Sequence, residues 1–241
     1  MANMTLGPAK ESRSPRRLGR PPKTERAEET RDRILDAGEQ LFAKNGFHGV
    51  TVRQITRAAG VDVALAHYYF GTKRGLFDAV FLRRAEILNK ERMASLDRYE
   101  AAAPDGRPTV EGIIEAFLAP VLEIWGRGGP GWDHYFALVA QVNNTPEWGG
   151  ETMARYFDPL IQRLIAALRK TMPGTRDEDL YWSYQFLSGA LTLAFAQTGR
   201  IDRLSGGLCR STDAAAVLAR LPRFTAAGFR AVCEGRGLSP G

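Results

Sequence analysis

Cysteine and histidine are scarce in this chain of 241 residues. The two cysteines, Cys209 and Cys233, are too few and too far apart for a zinc ribbon or a CxxC pair, so two reduced thiols are expected. His48, His67 and His134 form no HExxH and no paired Cys/His spacing, and neither GxSxG nor a phosphate loop occurs. Those absences exclude the usual metalloenzyme and hydrolase chemistries, and no cofactor or metal is expected. No apolar run approaches the roughly 18 residues that cross a bilayer, and no apolar h-region follows the basic N-terminus. A cytoplasmic location without a membrane partner is the expectation. Alternating strand patterns with turn signals are also missing, which leaves an all-α chain.

With 44% hydrophobic residues the chain can bury a core, and its net charge of +6 favours an anionic partner. That charge is concentrated at one end. Residues 1–26 hold Lys10, Arg13, Arg16, Arg17, Arg20, Lys23 and Arg26 against Glu11 and Glu25, so five of the six net charges lie there. Pro8, Pro15, Pro21 and Pro22 argue against a regular helix, and a disordered basic arm over 1–26 is expected. Around Arg17 and Arg20, the Gly-Arg-Pro run is of the kind that lies in a narrow minor groove; the alternative is a solvated tail that only attracts phosphates.

The most informative stretch is 51–73, TVRQITRAAGVDVALAHYYFGTK. Thr51 and Gln54 fit a capping box that starts one short helix. Gly60 supplies a turn, and Asp62 is a candidate N-cap for a second short helix over 63–69. Two short helices joined at a glycine turn form a helix-turn-helix, whose second helix enters the DNA major groove. Upstream, Ile34, Leu35, Leu41 and Phe42 share one face of a helix over 30–45, stopped by Asn45-Gly46.

Residues 30–77 resemble the DNA-binding domain of the tetracycline-repressor (TetR) family of bacterial regulators. The matching segments are ILDAGEQLFAKNGF, GVTVRQITRAAGV and YYFGTKRGLF, in order over about 50 residues. The resemblance implies a DNA-binding helix-turn-helix domain over 27–72 and a helical ligand-binding and dimerisation domain over 73–241. It also implies a double-stranded operator as partner.

Candidate DNA contacts follow from chemistry and from this resemblance: Arg17, Arg20, Thr51, Arg53, Val63, Ala64, Leu65, His67, Tyr68, Tyr69 and Lys73. Arg53 carries a planar fork suited to a phosphate or a guanine edge. Tyr69 and Lys73 align with phosphate contacts of the family, though Tyr69 also fits core packing, and Phe70 is read as core. Val63, Ala64 and Leu65 stand where many relatives carry polar base readers, which leaves contact with thymine methyl groups. Ala66 replaces a large apolar residue, and Arg74, where an acidic residue is common, is a further candidate phosphate contact.

Beyond residue 72, helical patterns cover 72–103, 109–125, 132–144, 148–171 with a kink or break at Pro159, 177–198 and 212–234. Their aromatic content exceeds what a small bundle needs. A pocket lined by Phe117, Trp125, Phe136, Val139, Asn143, Tyr156 and Gln185 is expected to take a small apolar effector, which the net charge allows to be anionic. The YWSYQFLSGAL segment and the Gly-rich loop after it are similar to fatty-acid-responsive members of the family. Ser188, Gly189, Ala190 and Ala194, with Ala214, Ala215, Ala216, Ala226, Ala227 and Gly228, mark two helices able to approach closely, either across a homodimer interface or within one subunit. The resulting expectation is a homodimeric repressor on a palindromic operator, released by the effector. The alternatives are an activator or a ligand-independent architectural DNA binder.

Overall fold

Five of the helix starts coincide with side chains that cap them. Thr51, Asp62, Thr72, Thr109 and Asp213 each accept a backbone N–H of the first turn that follows, from Gln54, Ala64, Gly75, Gly112 and Ala216 respectively. Each such cap contributes about 1 kcal/mol.

The computed structural model describes residues 23–129 and 131–234. In order the helices are α1 (Lys23–Asn45), α2 (Val52–Ala59), α3 (Val63–Phe70), α4 (Lys73–Ala102), α5 (Val110–Arg127), α6 (Trp132–Asn143), α7 (Gly149–Thr171), α8 (Asp177–Ala196), α9 (Arg200–Leu204) and α10 (Ala214–Cys233), with a 3₁₀ turn at Pro104–Gly106 between α4 and α5. Among the described residues there is no strand, and the chain is all-α as expected.

Helix α5 lies deepest. Ile113, Ile114, Phe117, Leu118, Val121 and Leu122 are buried on it, and it packs against α4, α10, α7 and α6. Helix α4 bridges the two halves of the chain. Its first turns bury Leu76, Phe77, Val80 and Phe81 in the region of α1, and its later turns bury Leu88 and Leu96 in the region of α5. One apolar core thus runs from Ile34 and Phe42 through Phe77 and Phe81 to Phe117, Phe136 and Leu164. Each fully buried phenylalanine contributes about 1.5–3 kcal/mol relative to exposure, so the N-terminal unit is fixed to the bundle.

Three expectations need correction. The first helix begins at Lys23 rather than near residue 30, so residues 23–26, assigned by composition to the basic arm, are helical. Of the kink or break expected at Pro159, the break does not occur: α7 continues through this exposed residue, while Leu160, Ile161, Leu164 and Ile165 are buried, and that packing outweighs one lost backbone hydrogen bond. The loop before the last helix contains the short α9, whose Asp202 carboxylate accepts the Ser211 N–H at 2.8 Å. The rest of the arm, including Arg17 and Arg20, lies outside the described residues.

Candidate nucleic-acid interface and internal cavity

Both halves of the capping box form at α2: Gln54 N–H donates to the Thr51 hydroxyl at 3.2 Å, and Thr51 N–H donates to Gln54 Oε1 at 2.8 Å. The other end of α2 is closed by Gly60 in the left-handed region, φ 64°. Arg33 of α1 reinforces it, donating from Nε to the Ala59 carbonyl and from Nη2 to the Gly60 carbonyl, at 3.1 and 2.9 Å. Asp62 then starts α3, taking the Ala64 N–H at 2.7 Å. The α2–turn–α3 unit is therefore held by hydrogen bonds at each joint and by Ile55 and Ala66 buried beneath it.

What faces outward follows from this framework. Thr51, Arg53, Ala64, Leu65, His67 and Tyr68 are exposed, Tyr68 at 81%, whereas Val63, Tyr69 and Lys73 are half-buried. The exposed part of α3 is apolar and aromatic, with His67 its one ionisable imidazole. His67 Nδ1 lies 2.9 Å from the Gly71 carbonyl. A carbonyl can only accept, so Nδ1 carries the proton and Nε2 is left for another partner. Lys73 holds its ammonium 4.5 Å from the Phe47 ring centroid, and burial draws its pKa down. Arg74 is not available as the expected phosphate contact: it pairs with Asp78 at 3.0 Å, bonds the Thr152 hydroxyl and stacks on Trp148 at 4.5 Å, linking α4 to α7.

Inside the bundle, α4, α5, α6, α7 and α8 surround a cavity of about 50 Å³. Of the residues expected to line a pocket, Phe117, Phe136, Val139 and Asn143 do so. Trp125 is buried edge-on against Phe195, with centroids 5.7 Å apart. The ring of Tyr156 stands 6.1 Å from that of Phe81, and Gln185 is exposed on the outer side of α8; none of these three lines the cavity.

Apart from Asn143, the polar groups of the cavity escaped the sequence pattern. Arg92 is only 5% exposed; its Nε donates to the Phe117 carbonyl at 3.0 Å and its guanidinium lies 3.7 Å from the Phe117 ring centroid. Among the described residues no carboxylate pairs with it, and burial lowers its pKa to about 10, which still leaves it charged at neutral pH. Tyr135, 1% exposed, has no hydrogen-bond partner for its hydroxyl among the described residues, and burial pushes its pKa up. Tyr184, Ser188 and Thr192 add hydroxyl-bearing side chains to the lining. A signal for Arg92 existed: it stands between Leu88 and Leu96 at four-residue spacing, a charge inside an apolar stripe.

Helix α6 touches both regions. Tyr135, Phe136, Val139 and Asn143 wall the cavity, while Gln141 on the same helix donates from Nε2 to the Ala43 carbonyl near the end of α1, at 2.8 Å. At the other end of α6, Trp132 packs under the Arg84 guanidinium at 5.1 Å. Arg84 and Arg83 of α4 both pair with Glu39 of α1, a carboxylate 3% exposed, at 2.9 and 2.8 Å.

The family profile described as "Bacterial regulatory proteins, tetR family" matches residues 34–80, and "Tetracyclin repressor-like, C-terminal domain" matches 115–228. The HTH-type transcriptional repressor NicS of Pseudomonas putida is 40% identical over 58 residues, 24% of this chain and 27% of that protein. The HTH-type transcriptional regulator UidR of Escherichia coli is 32% identical over 101 residues, 42% and 47% of the two chains. The chain thus spans about a quarter to a half of the length of these curated relatives. Among solved structures, the fatty acid degradation regulator FadR from Bacillus halodurans superposes with TM-score 0.60 at 16% identity, covering 83% of this chain and 96% of that one. A TetR-family regulator from Rhodococcus sp. gives 0.53 at 16%, covering 86% and 99%. With both parts of the family pattern matched, and the helix-turn-helix built as the first requires, the chain belongs to the TetR family of bacterial transcriptional regulators.

Proposed function

We propose that this chain is a ligand-responsive repressor that binds a palindromic operator as a homodimer and leaves it when a small, apolar or fatty-acid-like effector enters the bundle. The observation that carries the reading is the double attachment of α6, which walls the cavity and bonds the DNA-binding unit through Gln141 and Ala43. An occupant that outgrows this space of about 50 Å³ presses on that wall. Displacement of α6 shifts α1, and with it the α2–α3 unit, so the cavity and the recognition helix are two sites of one coupled equilibrium.

Within this reading, residues 1–22 act as a basic arm, 23–72, which begin with α1, as the DNA-binding domain and 73–241 as the effector and dimer domain. Arg53, His67 and Tyr68 contact DNA, with Ala64 and Leu65 against thymine methyls, Thr51, Val63 and Tyr69 at the periphery, and Lys73 at a phosphate. Arg17 and Arg20 reach the minor groove. Dimerisation uses α8 and α10, where Trp182, Phe186, Leu193 and Phe224 are exposed and where Gly189 and Gly228 have no described atom within 4 Å of a Cβ position. The fatty-acid element draws support from the Bacillus halodurans neighbour, itself a fatty acid degradation regulator. No helix among the described residues is long and apolar enough to cross a membrane, and a cytoplasmic location accords with the proposal.

Selection of binding sites from random duplex DNA at near-physiological salt tests this. The expected product is a palindrome with half-sites about one helical turn, roughly 34–36 Å, apart. Absence of an enriched motif would favour the architectural alternative, in which the arm binds DNA of any sequence.

A further inference from the structure

Among the described residues, Arg92 is a buried cation without a counter-ion. Its one hydrogen bond there goes from Nε to a carbonyl, and its face rests on the Phe117 ring. Tyr135 cannot supply the missing charge, because burial keeps its hydroxyl protonated, and that hydroxyl has no described partner either. Both side chains are more than nine-tenths buried and both line the same cavity. A guanidinium withdrawn from solvent is strongly disfavoured unless something anionic or strongly accepting faces it. The remaining lining is largely apolar, with Phe136, Val139 and Phe195 among it.

We infer that the cavity is built for an organic monoanion, a carboxylate carried on an apolar body, with the carboxylate against Arg92 and the Tyr135 hydroxyl and the body against Phe136, Val139 and Phe195. This rests on the proposal that the cavity is the effector site; it decides between the apolar and the fatty-acid-like forms of that reading and assigns the two residues that hold the head group. One unpaired guanidinium matches one negative charge. A dianionic phosphate would leave a second charge buried. The Arg fork binds a carboxylate through two parallel N–H···O bonds, and a tyrosine hydroxyl can add a third donor. At about 50 Å³ the present space is that of a few waters, so an acid as long as decanoate extends out at the rim or parts α6 and α8. At the rim, Asn143 of α6 donates to the Thr192 hydroxyl of α8 at 3.0 Å, and this bond would open as they part.

The test uses the full-length protein and matched pairs, benzoate with benzyl alcohol and decanoate with decanol, measured by calorimetry. At least one acid should bind about tenfold or more tightly than its alcohol, as a charge-assisted bond replaces a neutral one. Arg92→Met should abolish that preference, and Arg92→Lys should retain it in weaker form because the charge remains. If Arg92→Met does not fold, the wild-type pairs and Arg92→Lys, with Tyr135→Phe expected to weaken the acid alone, carry the test. Acids that bind no better than their alcohols, or an acid preference that survives Arg92→Met, would overturn the inference. Operator binding is read in parallel. An Arg92-dependent acid that leaves the operator complex intact supports the anion site and contradicts the effector reading; equal release by acid and alcohol does the reverse.

Discussion

The Gln141 side-chain amide donates to the Ala43 carbonyl at 2.8 Å, joining the helix that walls the cavity to the helix on which the DNA-binding unit is built. If this bond carries the effector signal, Gln141→Leu should cost about 1 kcal/mol in stability, the ordinary worth of one such bond. It should also shrink the ratio of operator affinities without and with effector. Fluorescence anisotropy under both conditions, beside a thermal melt, separates the two effects.

Glu39 is a buried carboxylate shared by Arg83 and Arg84. Its removal leaves two partly buried guanidinium groups without this anion. Glu39→Ala is expected to destabilise the chain by about 2–4 kcal/mol, toward the lower part of the range for buried pairs because both arginines keep some contact with water. Chemical denaturation measures it, and a loss below about 1 kcal/mol would mean that water replaces the carboxylate freely.

Arg53 and Lys73 should behave differently on DNA. Lys73→Ala should weaken every duplex about equally and lower the magnitude of the salt slope by about 1, the signature of one phosphate contact. Arg53→Ala should also change base preference at one position of each half-site. Selection experiments on both variants give the comparison, and identical sequence profiles would remove the distinction.

The Arg230 guanidinium grips Glu111 with bonds of 2.6 and 2.7 Å, tying α10 to α5 and lowering the Glu111 pKa from 4.5 to about 2. A depressed carboxylate pKa stabilises the fold above the unfolded value, so this contribution is complete above about pH 4.5 and is lost as pH falls toward about 2. Side-chain exposures of 54% and 39% keep it below about 1 kcal/mol. Glu111→Gln should flatten the pH dependence of stability in that window and leave stability at neutral pH lower by the same small amount.

Exposed aromatics on α8 and α10 mark the proposed homodimer interface. Phe186→Asp combined with Phe224→Asp should yield a folded monomer whose operator affinity falls by about 10²-fold or more, the advantage of bivalent attachment. Sedimentation and anisotropy on one preparation test it; a dimer that persists would move the interface elsewhere.

Legibility in the sequence tracked the range of the interactions. The Thr51–Gln54 capping box, the left-handed Gly60 and the Asp62 cap each involve residues at most a few positions apart, and all three form as their spacing implied. Pro159 does not break α7 because its local effect, one missing donor, is small beside the burial of Leu160, Ile161, Leu164 and Ile165, which only the packed bundle reveals. The cavity was half legible. Phe117, Phe136 and Val139 lie on inward faces and Asn143 at the rim, but Trp125 is occupied by Phe195, some seventy residues later in the chain, and Gln185 turns outward with the register of α8. Arg92 was visible as a charge between Leu88 and Leu96, yet a lone arginine on a long helix usually finds a carboxylate or water. Only the structure reveals that, among the described residues, it has neither partner acid nor open solvent.

If filling the cavity releases DNA, a single titration reads both events. The full-length protein, bound to its selected operator, is titrated with the cavity ligand while anisotropy reports the DNA and intrinsic fluorescence reports occupancy through Trp132, whose ring lies 6.0 Å from that of Phe136 on the cavity wall. The operator should dissociate over the same concentration range in which the fluorescence changes, as coupling of the two sites requires. A cavity that fills while operator affinity stays constant would contradict it.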